Sequence, residues 1–229
     1  PLSINGIVVV FAMVFDIWLI QYYYGSVEQG YYTLALKISA IVILLISPIS
    51  VLLLREMSQK YEKKSVKEIR KMYKKYSYLF CFIAAYFSIF ISSNAEFIGM
   101  VIGGEEFKDA LMIIMLMALY PVHNVYGLIV SNILLVRGRT DFLRNVALIT
   151  LIPGVAISFF LIAPVESHGF GLGAMGLAIK VLAIQFISVN IYLMNVVKYL
   201  KLSFLKEVGN QVVIILTFMA RLSWLESKY

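Results

Sequence analysis

Thr33–Leu54 reads TLALKISAIVILLISPISVLLL, and it is followed at once by Arg55–Lys75, REMSQKYEKKSVKEIRKMYKK. The first stretch is 22 residues with a single charge, Lys37, long enough to cross a bilayer as a helix. The second holds nine of the chain's 20 Lys and Arg against three acidic residues. A greasy span that ends in a dense basic run is how a membrane helix leaves on the cytoplasmic side.

Working outward, five further runs have the same character: Ser3–Tyr24, Ser77–Phe97, Ala110–Leu135, Phe142–Ala163 and Leu172–Asn195. A seventh, Val208–Trp224, is shorter. The expected fold is therefore all-α, a polytopic transmembrane helical bundle. Six spans fill residues 1–207, and residues 208–229 form a partial seventh helix and a C-terminal tail. The composition agrees: of 229 residues, 61% are hydrophobic and 14% charged. A soluble domain lacks the polar residues to cover that much apolar surface, whereas lipid can serve as its exterior.

The connections set the orientation. Arg55–Lys75, Arg137–Arg144 and Lys198–Lys206 carry fifteen basic residues. The alternate connections, Gly25–Tyr32, Ile98–Asp109 and Pro164–Gly171, carry one, Lys108, with five acids: Glu28, Glu105, Glu106, Asp109 and Glu166. Strict alternation of this kind places the basic loops and Pro1 in the cytoplasm. Tyr22, Tyr23, Tyr24, Tyr31 and Tyr32 cluster at the opposite mouth, where an amphipathic ring suits the interface. The net charge of +7 thus serves lipid headgroups and topology, not nucleic acid. The long basic segment lacks Pro and Gly, and its periodicity predicts that the third helix extends back into the cytoplasm. Because the chain enters an apolar run directly from Pro1, with no charged leader and no cleavage site, a preceding segment is expected.

Charged residues within the spans are the candidates for function, since the bilayer makes them costly. Asp16 lies eight residues before Tyr24, roughly 12 Å below the interface at helical rise. Lys37 lies near the same end of the second span, so a tight hairpin brings the two within reach. Either they form a buried packing pair, or they line a polar cavity that binds an anionic headgroup or couples to a cation. Lys180 is deeper in its span, with Gln185 and Asn190 following. It suits an anionic, pyrophosphate-linked substrate or pairs with a carboxylate from a missing region of the protein. Pro121 precedes His123 and Asn124 in the fourth span, and Asn124, Ser131 and Asn132 can bond across helices. Pro48, Pro121 and Pro153 each remove a backbone donor within a span. Metal, nucleotide and nucleophile motifs are absent, so no cofactor and no enzymatic chemistry is expected. The single Cys81 excludes an intramolecular disulfide.

Residues Phe15–Gln59, with Asp16, Gly30-Tyr31, Lys37 and Pro48 in that order, resemble the start of the second half of the polysaccharide (O-antigen or capsule repeat-unit) flippases. These belong to the multidrug/oligosaccharidyl-lipid/polysaccharide exporter superfamily. Ile102–Ala110 (IGGEEFKDA), Asn132–Phe142 (NILLVRGRTDF) and Gly169–Ala178 (GFGLGAMGLA) are similar to later motifs of the same half. The resemblance covers about Pro1 to Leu200. It implies one lobe of a two-lobe transporter in the bacterial cytoplasmic membrane, with a missing N-terminal lobe as partner. It further implies an undecaprenyl-type lipid-linked oligosaccharide as substrate, and Lys180, Lys37 and Asn124 facing it. Asp16 would then serve as an ion-coupling or structural group. Other exporters of the superfamily, for drugs or peptidoglycan precursors, are the near alternative. A membrane-embedded polysaccharide enzyme is the distant one.

Overall fold

A computed structural model describes residues 2–226, with side chains placed over residues 6–217. The elements are α1 (Leu2–Glu62), α2 (Val66–Ser93), α3 (Ala95–Gly103), a 3-10 turn (Glu105–Ala110), α4 (Leu111–Met117), α5 (Tyr120–Val136), α6 (Thr140–Ile162), α7 (Gly173–Leu200) and α8 (Phe204–Glu226). The fold is a helical bundle with no strand among the described residues. Five helical stretches are long and apolar enough to cross a membrane: Gly6–Glu62, Val66–Ser93, Glu105–Val136, Thr140–Ile162 and Gly173–Leu200.

α1 is two helices joined at Gly25, whose φ of 84° and ψ of −176° break the helix. Glycine alone reaches that conformation without strain. The contacts show the chain doubling back there. On the arm before Gly25, Asp16 meets Lys180 of α7, while at the elbow Glu28 meets Ala174, nearer the start of α7. That arm therefore runs antiparallel to α7. On the arm after Gly25, Ser39 meets Met117 and Ser50 meets Asn132, so this arm descends alongside α4 and α5. The expected loop over residues 25–32 is thus a one-residue elbow. Ser26–Tyr32 has no Pro and restarts the helix at once.

The elbow end gathers the acid-bearing connections. Tyr31 Oη donates to the Glu106 carbonyl at 3.2 Å, and Phe107 packs edge-on against the Tyr31 ring. At the basic end Arg137 Nη1 donates to Asn195 Oδ1 at 2.7 Å, and its guanidinium lies 4.2 Å from the Tyr199 ring centroid. α1 and α2 meet there through a turn at Lys64 (φ 53°). The third apolar run extends back to Val66, as its periodicity predicts.

Of the three prolines within spans, Pro121 coincides with a break in its helix, whereas Pro48 and Pro153 lie inside continuous helical stretches of α1 and α6. α4 ends at Met117, Ala118 and Leu119 form a turn, and α5 starts at Tyr120. Without an N–H on Pro121, the Met117 carbonyl four residues earlier loses its donor. The buried Ser39 hydroxyl lies 2.7 Å from that oxygen and can replace it. α6 and α7 pack at backbone contact. A Cβ on Gly176 would stand 2.7 Å from the Leu161 carbonyl oxygen, and one on Gly169 would stand 2.1 Å from that of Ala163. The small residues at the start of α7 therefore serve close helix packing.

Candidate functional site

Asp16 and Lys180 form a buried charge pair. Lys180 Nζ donates to Asp16 Oδ2 at 2.6 Å, with side-chain exposures of 4% and 8%. Ser158 of α6 reaches the other carboxylate oxygen, Oδ1, at 2.5 Å. Three helices are pinned at one point: the first arm of α1 supplies the carboxylate, α6 the hydroxyl and α7 the cation. Gly154, one turn from Ser158, faces the lysine stem, and a Cβ there would stand at van der Waals contact, 3.4 Å from Lys180 Cε.

The pair lies on the wall of a cavity of about 560 Å³ between α1, α5, α6 and α7. Asn124 of α5, Thr150 of α6, and Gln185 and Ser188 of α7 also line it. Most of the remaining lining is apolar, Val9, Met13, Leu128 and Ile184 among it. Ser188 Oγ and Thr150 Oγ1 bond each other at 3.1 Å, and Asn124 Nδ2 lies 3.4 Å from Tyr120 Oη. The Gln185 carbonyl oxygen is buried without a partner among the described residues. Chemically, the cavity offers one cation held by one carboxylate, a set of neutral donors and an apolar wall.

Of the residues expected to act, Asp16, Lys180 and Asn124 come together here, and Lys37 does not. The expected Asp16–Lys37 pair is corrected to Asp16–Lys180. Lys37 is exposed, while Ala35, Ile38, Ser39, Val42 and Ile46 form the buried face of its helix. Two residues beyond Ala35, Lys37 points about 200° away from that face. Sequence proximity across a hairpin says nothing about rotation of the helix. Asn132 does bond across helices, its Nδ2 2.9 Å from both the carbonyl and the hydroxyl of Ser50. Ser131 bonds its own helix at Leu128. His123 is buried, with its ring edge-on to Phe186 at 5.2 Å and its Nδ1 unpartnered among the described residues.

A second polar cluster went unread in the sequence. α8 begins at Phe204, earlier than the apolar run Val208–Trp224, and turns Glu207 and Gln211 into the bundle. Tyr73 Oη of α2 donates to Glu207 Oε2 at 3.0 Å, and Gln211 lies 3.5 Å from Asn190 of α7. The available signal was the pair itself: two polar residues four apart on an apolar helix share a face. Among the described residues, no group of three or more His, Cys, Asp or Glu gathers to hold a metal. Comparison of the chain with protein-family models, with curated proteins and with solved structures found no match in any of the three.

Proposed function

We propose that this chain is one lobe of a membrane transporter, a flippase that moves a lipid-linked oligosaccharide across the bacterial cytoplasmic membrane by alternating access. The elbow at Gly25 makes α1 two spans, giving six. The basic end and the N-terminus face the cytoplasm, and a second lobe, outside this chain, closes the cavity. The anionic head of the substrate enters between the lobes, the lipid tail stays in the bilayer, and the lobes rock about the midplane. No bond is made or broken.

One observation carries this reading: the buried Asp16–Lys180 pair lines a roomy cavity instead of lying in closed packing. Charge inside an apolar bundle is costly, and beside a cavity its use is to meet a polar substrate. The ordered resemblance of Phe15–Gln59 and the later motifs supports the substrate class. The mainly apolar lining favours a second reading, an ion-coupled exporter of apolar compounds.

The test is translocation of lipid-linked oligosaccharide into sealed vesicles by the full-length gene product. Asp16→Asn and Lys180→Ala should each lower the rate at least tenfold. Wild-type rates in both, with equal amounts of folded protein, remove the reading. Loss of drug export with unchanged oligosaccharide movement would favour the second.

A further inference from the structure

The cavity holds one buried cation, and that cation is already taken by the chain's own carboxylate. We propose that Asp16 acts as an internal occupant of an oxyanion site centred on Lys180, and that a multiply charged phosphate group of the substrate binds by displacing it. This rests on the reading of the cavity as the substrate path.

The geometry of the pair carries the proposal. Lys180 Nζ has three N–H donors, and Asp16 Oδ2 takes one of them at 2.6 Å. Asp16 does not depend on Lys180 alone, because Ser158 Oγ holds its other oxygen. When the lysine turns to a new anion, the carboxylate keeps a hydrogen bond on α6. Neutral polar groups line the same cavity, Asn124 from α5 and Gln185 and Ser188 from α7. The Gln185 carbonyl oxygen has no protein partner among the described residues, so this side chain is not tied down through its acceptor.

Competition makes the site selective. A singly charged carboxylate at contact distance outcompetes chloride and other weak monovalent anions for the lysine. A phosphate or pyrophosphate ester brings more charge to the same point and wins. Keeping the cavity neutral at rest therefore excludes common anions, and it lowers the affinity for the cognate one by an amount that its higher charge overcomes.

The experiment titrates the full-length protein in lipid nanodiscs with inorganic pyrophosphate and, in parallel, with a short isoprenyl pyrophosphate, read by calorimetry. Asp16→Asn should tighten binding of both at least tenfold, while Lys180→Gln and the double substitution should show none. A larger gain for the isoprenyl ester assigns the site to a lipid-linked head, and an equal gain assigns it to free phosphate. Unchanged or weaker binding in folded Asp16→Asn protein overturns the competition. The reading of the cavity as the substrate path fails separately, if Lys180→Gln still translocates at the wild-type rate. Should Asp16→Asn fail to fold, infrared difference spectra of the wild-type protein give the answer. Pyrophosphate must shift a carboxylate stretch that moves again in Asp16→Glu, and an unshifted band overturns the proposal.

Discussion

Removing either member of the Asp16–Lys180 pair should cost far more stability than removing both. The ions stand 2.6 Å apart with at most 8% of either side chain exposed. At an effective dielectric of about 20, that separation corresponds to roughly 6 kcal/mol of attraction, much of it offset by the desolvation of both ions. Truncating one partner loses the attraction and keeps the desolvation of the other, so Asp16→Asn or Lys180→Met should each destabilise by about 3–5 kcal/mol. Asp16→Asn/Lys180→Met removes both charges at once and should return to within about 1 kcal/mol of the wild type. Ser158 keeps a partner in the Asp16→Asn protein, so that single substitution should be the milder of the two. The assay is reversible unfolding in bicelles, run as a double-mutant cycle. Singles within about 0.5 kcal/mol of wild type, or a double equal to the sum of the singles, would show that the two charges are not coupled.

Three other outcomes follow from particular contacts. Asn132→Leu strips Ser50 of its cross-helix partner and should cost about 1–2 kcal/mol in the same unfolding assay. Gly176→Ala forces a Cβ to 2.7 Å from a backbone oxygen and should lose about 1–3 kcal/mol, whereas Gly6→Ala, which meets nothing within 4 Å, should be neutral or slightly stabilising. Glu207→Ala leaves the buried Tyr73 hydroxyl without its acceptor and should cost about 1–3 kcal/mol. Hydrogen exchange should then quicken in α8 while α5 keeps its protection.

The spans were legible because membrane helices are specified by length and apolarity alone, and residues 33–54 or 142–163 leave little else to read. The prolines were only partly legible: each removes an N–H, yet the helix breaks at Pro121 and continues through Pro48 and Pro153. What sequence could not supply was rotation and neighbours. Lys37 looked like the partner of Asp16 because the two lie across one hairpin, yet its helix turns it outward. Lys180, 164 positions away from Asp16, becomes the partner only when α7 packs against the first arm of α1. The elbow was drawn too wide because Glu28 and Gln29 are polar. Polar residues do not end a helix, and Gly25 alone supplies the positive φ that does. α8 reads as a partial helix because its apolar run is short, and the residues that dock it, Glu207 and Gln211, are polar and give no apolar signal.

The account depends on helices that cross the bilayer repeatedly and leave their basic turns on one side. Lys64→Cys and Glu105→Cys, each made in full-length protein with Cys81 and any cysteine outside this chain replaced by Ser, place a single thiol at opposite ends of the bundle. Treated with a membrane-impermeant maleimide, intact cells should label the Glu105→Cys protein, and the Lys64→Cys protein should react only after permeabilisation. Equal labelling of both from outside would contradict the topology, and the transport reading would go with it.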